Sequence, residues 1–468
     1  MSIFNSIFSP RAVAVIGASD NPRKLGYYCL ASLINSGFRG EIYPVNPSLG
    51  SVMGLKSYPS ITSIPVDIDL ALVVVPSSIV PKVLEECASK NVKGVVVITA
   101  GFREAELEDG AYLQETIKSI ADRAGVKIIG PNTFGIVNLD VGLNASFTPE
   151  LSKLKKGNIS LIGQSGGVCH LLAYMSTIYG LGFSKIVGLG NRCNVDFADI
   201  IDYLKDDANT RVIAIHVEGV DDARRLMEAA REASRIKPIV AYKTGKSSIA
   251  DKASKTHTGS LAGNYQLYEA AFRQVGVLAV RDVEDFFDAM KALSICPIPK
   301  GNNVAVITGQ AGLGIIAADA CYDYGLNLAK LSEETYSKIL KLLPPLSIRE
   351  NPIDMGPSWS DVEKCRSIVE SVISDESIHA LTLCFTYTSA SSNMVLELAS
   401  VLKNWTSIKP VTACIPAPYG YWIKEREILE SSGVATYPTP SRAVKALSFL
   451  VAYRNLKSKP YLNSKHHR

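Results

Sequence analysis

The chain alternates between short, continuous apolar runs and longer stretches in which apolar residues recur with helical spacing. In its first third, five apolar runs predict buried strands, and the segments 79–91 and 109–124 predict helices between the later strands. This alternation predicts a doubly wound parallel sheet, which binds its ligands at the carboxyl ends of its strands. The five predicted strands are Val13–Ile16, Ile42–Val45, Leu70–Val75, Val95–Ile98 and Val126–Ile129.

The same alternation continues through two further stretches, which are separated by the proline-rich linker Cys296–Gly301. The sequence therefore predicts an α/β fold of three Rossmann-like or flavodoxin-like parallel-sheet domains in tandem, over residues 1–148, 149–296 and 297–468. The further predicted strands are 158–162, 185–189, 212–217, 239–243, 304–308, 380–385 and 410–415. The further predicted helices are 168–179, 197–205, 221–235 and one that ends near Tyr324.

Composition narrows the class of protein. The 468 residues are 47% hydrophobic and 20% charged, which is typical of a globular enzyme, and the net charge of +4 is spread thinly. Nucleic acid and anionic membrane are therefore not expected as partners, since both favour a concentrated basic patch. The nine scattered cysteines form no CxxC pair, which predicts reduced thiols, no zinc or other metal site, and a cytoplasmic location. Neither a signal peptide nor a membrane span is predicted.

Small and turn-forming residues follow the predicted strands of the first domain, where they let a nucleotide approach the backbone. The first turn does not have the pattern GxGxxG, and the second strand does not end in an acidic residue. Both features disfavour NAD and favour another nucleotide-like cofactor, whose phosphate Lys24 can pair with. These strand ends are Gly17-Ala18-Ser19, Asn46-Pro47, Pro76-Ser77-Ser78, Thr99-Ala100-Gly101 and Gly130-Pro131-Asn132.

A glycine-rich turn, Gly163-Gln164-Ser165-Gly166-Gly167, lies between a predicted strand and a predicted helix. Free backbone N–H groups and the positive end of the helix dipole make such a turn an anion site. A similar turn, Gly309-Gln310-Ala311-Gly312-Leu313-Gly314, follows the first strand of the third domain, so two helix N-termini are predicted to hold phosphate. The first turn also fits the nucleophile elbow of a serine hydrolase, for which Asp196, Glu218 and His257 can nominally complete a triad.

His257 lies among hydroxyl residues and glycines in the segment 255–263. Its imidazole can act as a base, a metal ligand or a phosphoryl acceptor, or the segment can simply be a loop that contains a histidine. Glu218 follows the predicted strand 212–217 at the same sheet edge as Ser165, where a carboxylate can fix the tautomer of an imidazole. The alternative for Glu218 is an ordinary carboxylate at the rim of the sheet. His170 and His216 lie in apolar segments and are predicted to be core histidines.

Seven stretches in family order resemble the α subunit of the NDP-forming acyl-CoA synthetases, in particular the archaeal-type ADP-forming acetyl-CoA synthetases, which are related to succinyl-CoA ligase. The chain departs from the family pattern at Thr133, where some relatives have cysteine, and at Ser48, where many have lysine. The matching stretches are Phe8–Ser19, Tyr43–Pro47, Ile98–Phe102, Gly130–Gly135, Gly190-Asn191 with Val195-Asp196, Thr256–Ser260 and Asn351–Asp354.

The resemblance implies that the first domain binds CoA through the loops 17–19, 46–47 and 98–100, with the loop 130–132 beside the acyl group. It implies that His257 is phosphorylated transiently and that Glu218 orients it. The helix ends that hold the phosphate would be Ser165-Gly166-Gly167 and Gly312-Leu313-Gly314.

The resemblance also implies a reaction and a partner. Acyl-CoA, ADP and phosphate would give the free acid, ATP and CoA through an acyl phosphate and a phosphohistidine. ADP/ATP and Mg²⁺ are expected on a separate β subunit with an ATP-grasp fold, in an α2β2 complex. The alternatives are a non-catalytic CoA-binding or regulatory protein of the same fold, a CoA-dependent acetyltransferase and an NAD-dependent oxidoreductase. The sequence leaves the acyl group open.

Overall fold

The computed structural model describes residues 2–105, 109–247, 249–250, 265–345, 347–389 and 393–459. The chain divides into two compact units, residues 1–282 and residues 283–468. Among the described residues, the first unit contains two large sheets and the second unit contains one, and most strand pairs are parallel. The predicted α/β class with several parallel sheets is confirmed.

The first sheet of unit 1 is parallel. Its strands, and the small hairpin beside them, are β1 (Ala12–Ile16), β2 (Glu41–Val45), β3 (Ser51–Val52), β4 (Leu55–Lys56), β5 (Leu70–Val73), β6 (Gly94–Val97) and β7 (Lys127–Ile129). The accompanying helices are α1 (Ile3–Phe8), α2 (Leu25–Asn35), α3 (Val80–Ser89) and α4 (Gly110–Ala124). Backbone hydrogen bonds place the five long strands in the order β2, β1, β5, β6, β7, and β3 and β4 pair antiparallel.

The turn after β1 brings helix α2 close to the sheet. All five residues of β1 are buried, as expected of its continuous apolar run. Gly17 follows with φ +93°, a conformation that favours glycine, and a Cβ atom on Gly26 would lie 2.0 Å from the carbonyl oxygen of Gly17. The two glycines therefore allow the first turn of α2 to touch the backbone of the loop after β1.

The second sheet of unit 1 has seven strands. They are β8 (Gly135–Asn138), β9 (Leu143–Ser146), β10 (Lys156–Gly163), β11 (Phe183–Gly188), β12 (Val212–Val217), β13 (Ile239–Lys243) and β14 (Leu278–Val280). Its described helices are α5 (Gly166–Tyr179), α6 (Phe197–Asp206), α7 (Ala223–Ser234) and α8 (Tyr265–Gln274). The strand order is β14, β13, β12, β10, β11, β8, β9, in which β10 to β14 are parallel and the hairpin β8–β9 is antiparallel.

The hairpin β8–β9 precedes residue 148, yet its hydrogen bonds join it to the second sheet through β11. All eight of its strand residues are buried. The side-chain amide of Asn138 donates to the carbonyl oxygen of Phe8, 2.8 Å away, and so ties the hairpin to the end of α1. The predicted boundary at 148 remains a prediction, but the second sheet takes two strands from before it.

Unit 2 has one parallel sheet. Its strands are β15 (Asn303–Thr308), β16 (Asn327–Leu328), β17 (Ile353–Asp354), β18 (Ala380–Cys384), β19 (Val411–Cys414) and β20 (Val434–Tyr437). Its described helices are α9 (Val283–Ile295), α10 (Ala311–Asp323), α11 (Glu333–Leu340), α12 (Val362–Ser374), α13 (Met394–Leu402), α14 (Ile423–Ser431) and α15 (Pro440–Lys457). The order is β16, β15, β18, β19, β20, and β17 pairs with β15. If β17 is left out and the strands of each sheet are numbered in chain order, this order and that of β10 to β14 are both 2-1-3-4-5, as in flavodoxin-like sheets.

Each predicted strand and helix is present, with small shifts at its ends. The structure adds short elements that the sequence pattern did not predict, among them β8, β9, β16 and β17. It also places helix α9 in unit 2, where a buried ion pair joins Lys291 to Glu430 and the carboxylate of Asp288 binds the guanidinium of Arg442 through two hydrogen bonds of 2.7 Å. Among the described helices, none is long and apolar enough to cross a lipid bilayer.

Candidate active site

The loops predicted to bind CoA lie at the carboxyl ends of neighbouring strands in the first sheet. Loop 17–19 follows β1, loop 46–47 follows β2 and loop 98–100 follows β6. The side-chain amide of Asn46 donates to the carbonyl oxygen of Ala18, 2.9 Å away, and its oxygen accepts from the backbone N–H of Ser48. Asn46 therefore joins two of the loops to each other, while the neighbouring Pro47 and the predicted phosphate partner Lys24 are exposed.

The loop 130–132, predicted to lie beside the acyl group, is held against loop 98–100. The Gly130–Pro131 peptide bond is cis, and Asn132 has φ +57°. The backbone N–H of Asn132 donates to the carbonyl oxygen of Thr99 at 2.9 Å, and the N–H of Asn191 donates to that of Pro131, also at 2.9 Å. The structure thus brings the ends of the fourth and fifth predicted strands together.

The turn predicted to bind phosphate begins helix α5. Ser165 is the N-cap residue, and its hydroxyl oxygen accepts from the backbone N–H of Val168 at 3.5 Å. The N–H groups of Gly166 and Gly167 lie in the first turn, where a helix offers them no internal acceptor. A Cβ atom on Gly166 or Gly167 would meet other atoms only at 3.5 Å or beyond. The fold itself therefore does not require glycine there, which fits a backbone that an anion approaches closely.

Glu218 lies beside this turn. It follows β12 directly, and β12 is the neighbour of β10, whose end carries the turn. The side-chain oxygen of Gln164 accepts from the backbone N–H groups of Glu218 at 3.0 Å and Gly219 at 3.1 Å. Only 8% of Glu218 is exposed. Gln164, which the sequence did not single out, fixes the position of the predicted carboxylate relative to the predicted phosphate site.

A cavity of about 450 Å³ brings these loops together. One side consists of the CoA-loop residues 98–100 with Asn132, and another consists of the turn 164–167. The rest of the wall includes Phe134, Phe147, His170 and Asn191. The structure therefore places three of the predicted loops around one space, which lies wholly within unit 1.

The prediction that His170 is a core histidine is wrong. The residue is only partly buried and lines the cavity. Its Nδ1 lies 2.7 Å from the carbonyl oxygen of Gly166 and its Nε2 lies 2.9 Å from the hydroxyl oxygen of Thr148. Because a carbonyl oxygen only accepts, Nδ1 carries the proton. Helix α5 has apolar residues all round, so the sequence pattern gave no indication of which face was buried.

His216 is fully buried, as predicted, next to the end of β12. Burial, assisted by the charge of Lys243, lowers the pKa of His216 to about 3. Its Nε2 lies 3.3 Å from the hydroxyl oxygen of Thr244, and Nδ1 has no hydrogen-bond partner among the described residues. The imidazole is therefore a neutral core group.

His257 lies outside the described residues. The described chain leaves the second sheet after β13, where the backbone N–H of Thr244 donates to the carbonyl oxygen of Val217 at 3.1 Å. After residues 249–250, the structure describes the chain again from Tyr265, the first residue of α8. The chain that leads to His257 therefore starts at the sheet edge that carries Glu218.

Polar residues outside the predicted set support the cavity. The carboxylate of Glu104 accepts from the backbone N–H of Gly101 at 2.6 Å and from the side-chain amide of Asn191. The guanidinium of Arg103 donates to the carbonyl oxygen of Asn191 and to the carboxylate of Asp221, which also binds Arg192 at 3.1 Å. These contacts link the loop after β6 to the loop after β12. Within the described ranges, no group of three or more His, Cys, Asp and Glu is arranged to hold a metal ion.

The second predicted phosphate turn begins helix α10 of unit 2. Gln310 is the N-cap residue and makes no side-chain cap bond, and a Cβ atom on Gly312 would meet nothing within 4 Å. Gly314 is different, since its Cβ would lie 2.9 Å from a methyl group of Thr308. Of the glycines in this turn, Gly312 is therefore the one that the fold does not require.

Three family matches follow the order of the sheets. Residues 11–138 match the CoA binding domain, residues 156–293 match the succinyl-CoA ligase like flavodoxin domain, and residues 304–418 match the ligase-CoA domain. Together with the cavity, these matches define a CoA-dependent ligase of the succinyl-CoA ligase type.

Whole-chain relatives narrow this class. The chain is 38% identical over 448 residues to the α subunit of acetate–CoA ligase [ADP-forming] II of Pyrococcus furiosus, covering 95% of this chain and 96% of that subunit. It is 40% identical over 454 residues to acetate–CoA ligase [ADP-forming] I of Archaeoglobus fulgidus, covering 97% of this chain but only 64% of that longer protein. The structure resembles that of dinucleotide-forming acetyl-coenzyme A synthetase 1 of Ca. Korarchaeum cryptofilum, solved with phosphate and ADP, with a TM-score of 0.90, 34% identity and 97% coverage of both chains.

The chain belongs to the family of the ADP-forming acetate–CoA ligases, in which it matches the α subunits over nearly their full length. The family predicted from the sequence motifs is thereby confirmed.

Proposed function

We propose that this chain is the α subunit of an ADP-forming acetate–CoA ligase, which converts acyl-CoA, ADP and phosphate into the free acid, ATP and CoA. The observation that carries the proposal is the cavity in unit 1, where residues 98–100 face the turn 164–167. A ligase of this kind needs its thioester and its phosphate side by side, and both predicted loops line that one space.

The first step joins phosphate to the acyl group. The loops 17–19, 46–47 and 98–100, with Lys24, hold CoA so that its thioester enters the cavity beside loop 130–132. An oxygen of phosphate bonds to the acyl carbon, the carbon–sulfur bond breaks, and CoA leaves as the thiol after taking up a proton. The N–H groups at the start of α5 stabilise the charge on the phosphoryl group, and those of Gly312-Leu313-Gly314 in unit 2 can bind a phosphoryl group in the same way.

The second and third steps move the phosphoryl group. A ring nitrogen of His257 bonds to phosphorus, and the phosphorus–oxygen bond to the acyl group breaks, which releases the carboxylate. Glu218 orients the imidazole and stabilises its positive charge. An oxygen of the terminal phosphate of ADP then bonds to phosphorus, the nitrogen–phosphorus bond breaks, and ATP forms. ADP and Mg²⁺ bind to a β subunit with an ATP-grasp fold, in an α2β2 complex.

Two contacts weaken the serine hydrolase alternative. The carboxylate of Asp196 accepts from the backbone N–H of Phe197 at the start of α6 and binds the guanidinium of Arg192. Both contacts engage this carboxylate within the fold. Ser165 instead serves as a helix cap.

The test is phosphorylation of the purified chain. After incubation with acetyl phosphate, or with the β subunit, ATP and Mg²⁺, intact mass should increase by one phosphoryl group, which is acid-labile and base-stable. His257→Ala should abolish the adduct, and the matched control His379→Gln, in unit 2, should keep it. If the wild-type chain forms no adduct even with the β subunit and ATP, the proposal is wrong and a non-catalytic CoA-binding function takes its place.

A further inference from the structure

Two polar residues that the proposed function does not use join the loop that would hold the thioester to the sheet that would hold the phosphate. Glu104 lies in the loop between β6 and α4, just after residues 98–100, and Asn191 lies in the loop after β11. β6 belongs to the first sheet of unit 1 and β11 to the second. A contact between these two side chains therefore fixes a loop of one sheet relative to a loop of the other.

One carboxylate oxygen of Glu104 shapes the end of the thioester loop. Oε1 accepts from the backbone N–H groups of Gly101 at 2.6 Å and Phe102 at 3.2 Å. Gly101 has φ +99°, a conformation that favours glycine, so the chain turns sharply at this point. Hydrogen bonds to a carboxylate are stronger than those between neutral groups. Glu104 therefore holds the turn that follows residues 98–100 in one conformation.

The other carboxylate oxygen of Glu104 binds Asn191. The side-chain amide of Asn191 donates to Oε2 of Glu104 and to the side-chain oxygen of Gln114, the latter at 3.0 Å. Both hydrogens of this amide are therefore used. Its oxygen lies 3.4 Å from the side-chain nitrogen of Asn132, and Asn191 is only 2% exposed. The side chain of Asn191 is thus fixed by three partners.

Asn191 connects Glu104 to the cavity. Its backbone N–H donates to the carbonyl oxygen of Pro131 in the loop 130–132. The strand before it, β11, is the neighbour of β10, and the N–H of Leu189 donates to the carbonyl oxygen of Gly163 at 2.9 Å. Asn191 lines the cavity, and Glu104 contacts it from outside the lining. A displacement of Glu104 would therefore reach the cavity through Asn191.

The phosphate side of the cavity has a separate support. The side-chain oxygen of Gln164 accepts from the backbone N–H of Glu218 at 3.0 Å, and the backbone N–H of Gln164 donates to the carbonyl oxygen of His216 at 3.2 Å. These contacts join the ends of β10 and β12 within the second sheet and do not involve Glu104 or Asn191. Loss of the contact between Glu104 and Asn191 should therefore displace the thioester loop and leave the phosphate turn and Glu218 in place.

We propose that Glu104 and Asn191 form a positioning clamp for acyl transfer, which sets the distance between the thioester carbon and the attacking oxygen of phosphate. The clamp rests on the proposed function and belongs to its first step alone. In that step the phosphate oxygen bonds to the acyl carbon, the carbon–sulfur bond breaks, and CoA leaves as the thiol after taking up a proton. A displacement of about 1 Å between reacting groups can cost about 10²-fold in rate. Transfer of the phosphoryl group to His257 does not involve the thioester, so the clamp should not affect it.

The test exchanges donor and acceptor between the two residues in the complete α–β complex. Glu104→Gln keeps an oxygen for the two backbone N–H groups but places an amide nitrogen against that of Asn191, and Asn191→Asp places two carboxylates together. At saturating acetyl-CoA and phosphate, each should slow the release of CoA, measured by chromatography, at least about tenfold. The dissociation constant of acetyl-CoA should change less than about threefold, because loops 17–19 and 46–47 still hold the rest of CoA. The double variant restores the hydrogen bond in the reverse direction, so its rate should return to within about threefold of the wild type.

Phosphorylation of His257 by acetyl phosphate without CoA is the second readout, because a merely structural loss would slow it as well. All three variants should form the phosphoryl adduct within about twofold of the wild-type rate. The matched control Glu115→Gln, at an exposed position on α4, should change neither rate. A single variant that does not fold, judged by circular dichroism, is replaced by Glu104→Asp, which keeps the charge but is too short by one methylene group to reach both partners and should also lose CoA release about tenfold.

Three outcomes would overturn the clamp while the proposed function stands. They are unchanged CoA release in the single variants, equal losses of CoA release and of the phosphoryl adduct, and a double variant no faster than the single ones. If the wild-type complex itself releases no CoA from acetyl-CoA and phosphate, the proposed function is wrong and the clamp with it. Loss of CoA release alone in both single variants, with recovery in the double variant, would establish the clamp.

Discussion

Two strand–turn–helix segments of this chain share a backbone plan and differ in what their side chains can do. In unit 1, β10 leads through the turn 163–167 into α5, and in unit 2, β15 leads through the turn 309–314 into α10. Each turn contains a glutamine whose side-chain oxygen accepts a backbone N–H from the end of the neighbouring strand: Gln164 accepts from Glu218 and Gly219, and Gln310 accepts from Thr386 at 3.3 Å. Each turn follows the first strand of a sheet with the order 2-1-3-4-5.

The similarity extends to the amino ends of the strands in both sheets. The ammonium group of Lys237, just before β13, donates to the carbonyl oxygens of Leu204 and Asp207 at the end of α6. The ammonium group of Lys409, just before β19, donates in the same way to Ile373 and Asp375 at the end of α12, at 2.7 Å each. A cation at a helix C-terminus stabilises the exposed carbonyls. The two scaffolds therefore correspond in detail at places remote from any ligand.

The two sheets differ at the carboxyl ends of their strands. Directly after the third parallel strand, unit 1 has the carboxylate of Glu218, whereas unit 2 has Phe385, whose ring stacks on that of Trp359 with centroids 3.7 Å apart. The first helix has a serine cap and the second has none. Both turns begin a helix with backbone N–H groups that have no acceptor within the helix, while only the rim of the unit 1 sheet carries a carboxylate at this position, so the proposed acid–base chemistry is assigned to unit 1.

The largest effect on kcat is expected from the carboxylate of Glu218. Glu218→Gln should lower kcat about 10²- to 10³-fold, because general acid–base and charge effects of a positioned group contribute about that much. Thr386→Ala, at the residue whose backbone N–H donates to Gln310 as that of Glu218 donates to Gln164, should change kcat less than about twofold. Steady-state ATP formation by the α–β complex measures both. Equal losses in the two variants would show that the units share the chemistry.

The next effect concerns acid stability. Because burial depresses the pKa of His216 to about 3 from an unfolded value near 6.5, the unfolded chain binds a proton that the folded chain does not bind between these pH values. Stability of unit 1 should therefore be fully present above pH 6.5 and decrease by about 1.4 kcal/mol for each pH unit below it, or about 2 kcal/mol at pH 5. Burial instead raises the pKa of Cys384, the β18 residue at the corresponding position, well above 9, so it contributes no such dependence.

The two units can be followed separately in one chain. All three tryptophans, Trp359, Trp405 and Trp422, lie in unit 2, so tryptophan fluorescence reports that unit. Hydrogen exchange of peptides from β12 reports unit 1. As pH falls from 7 to 5, the protection factors of the β12 amides, which correct for the slower intrinsic exchange at lower pH, should fall about thirtyfold in the wild type and much less in His216→Leu. An identical pH response in the two proteins would contradict the assignment.

The third prediction compares folding stability with phosphate binding at two glycines. Gly167→Ala and Gly312→Ala place a methyl group where the protein has room for it, so each should raise the free energy of unfolding by about 0.5–1 kcal/mol. Each should also raise KM for phosphate about tenfold, roughly the value of one hydrogen bond to a charged group. If only Gly167→Ala raises KM, the second turn is not part of the phosphate site.

The smallest effect is expected at the helix caps. Ser165→Ala removes a long cap bond and should cost about 0.5–1 kcal/mol of stability, whereas Gln310→Glu removes no cap bond and keeps a side-chain oxygen for the N–H of Thr386, so it should cost less. Urea unfolding, followed by exchange in unit 1 and by fluorescence in unit 2, measures the two costs. A larger loss for Gln310→Glu would reverse the comparison.

Continuous apolar runs made the parallel strands predictable, because a strand buried on both faces favours apolar residues throughout, as in Ala12–Ile16 and Leu70–Val73. The hairpin β8–β9 was not predictable in this way. Its strands are four residues long, Leu143–Ser146 includes buried asparagine and serine, and its pairing with β11 joins residues remote in sequence.

The candidate site was also predictable only in part from the sequence. The position of Glu218 followed from the end of a clear strand, and Ser165 from a glycine-rich turn. The cavity wall at His170 could not be predicted, since α5 has apolar residues on every side and periodicity cannot select its buried face. The assignment of His257 as the phosphoryl acceptor depends on the family motif and remains a prediction.

The hairpin β8–β9 also determines where this chain can be cut. A fragment that ends at residue 148 would carry the whole first sheet together with the hairpin, and the remainder would expose β11, all six of whose residues are buried, as a bare edge. An apolar edge strand with unpaired N–H and C=O groups recruits strands from other molecules. The separated remainder is therefore expected to aggregate, whereas a fragment that begins at Gly135 keeps its edge covered.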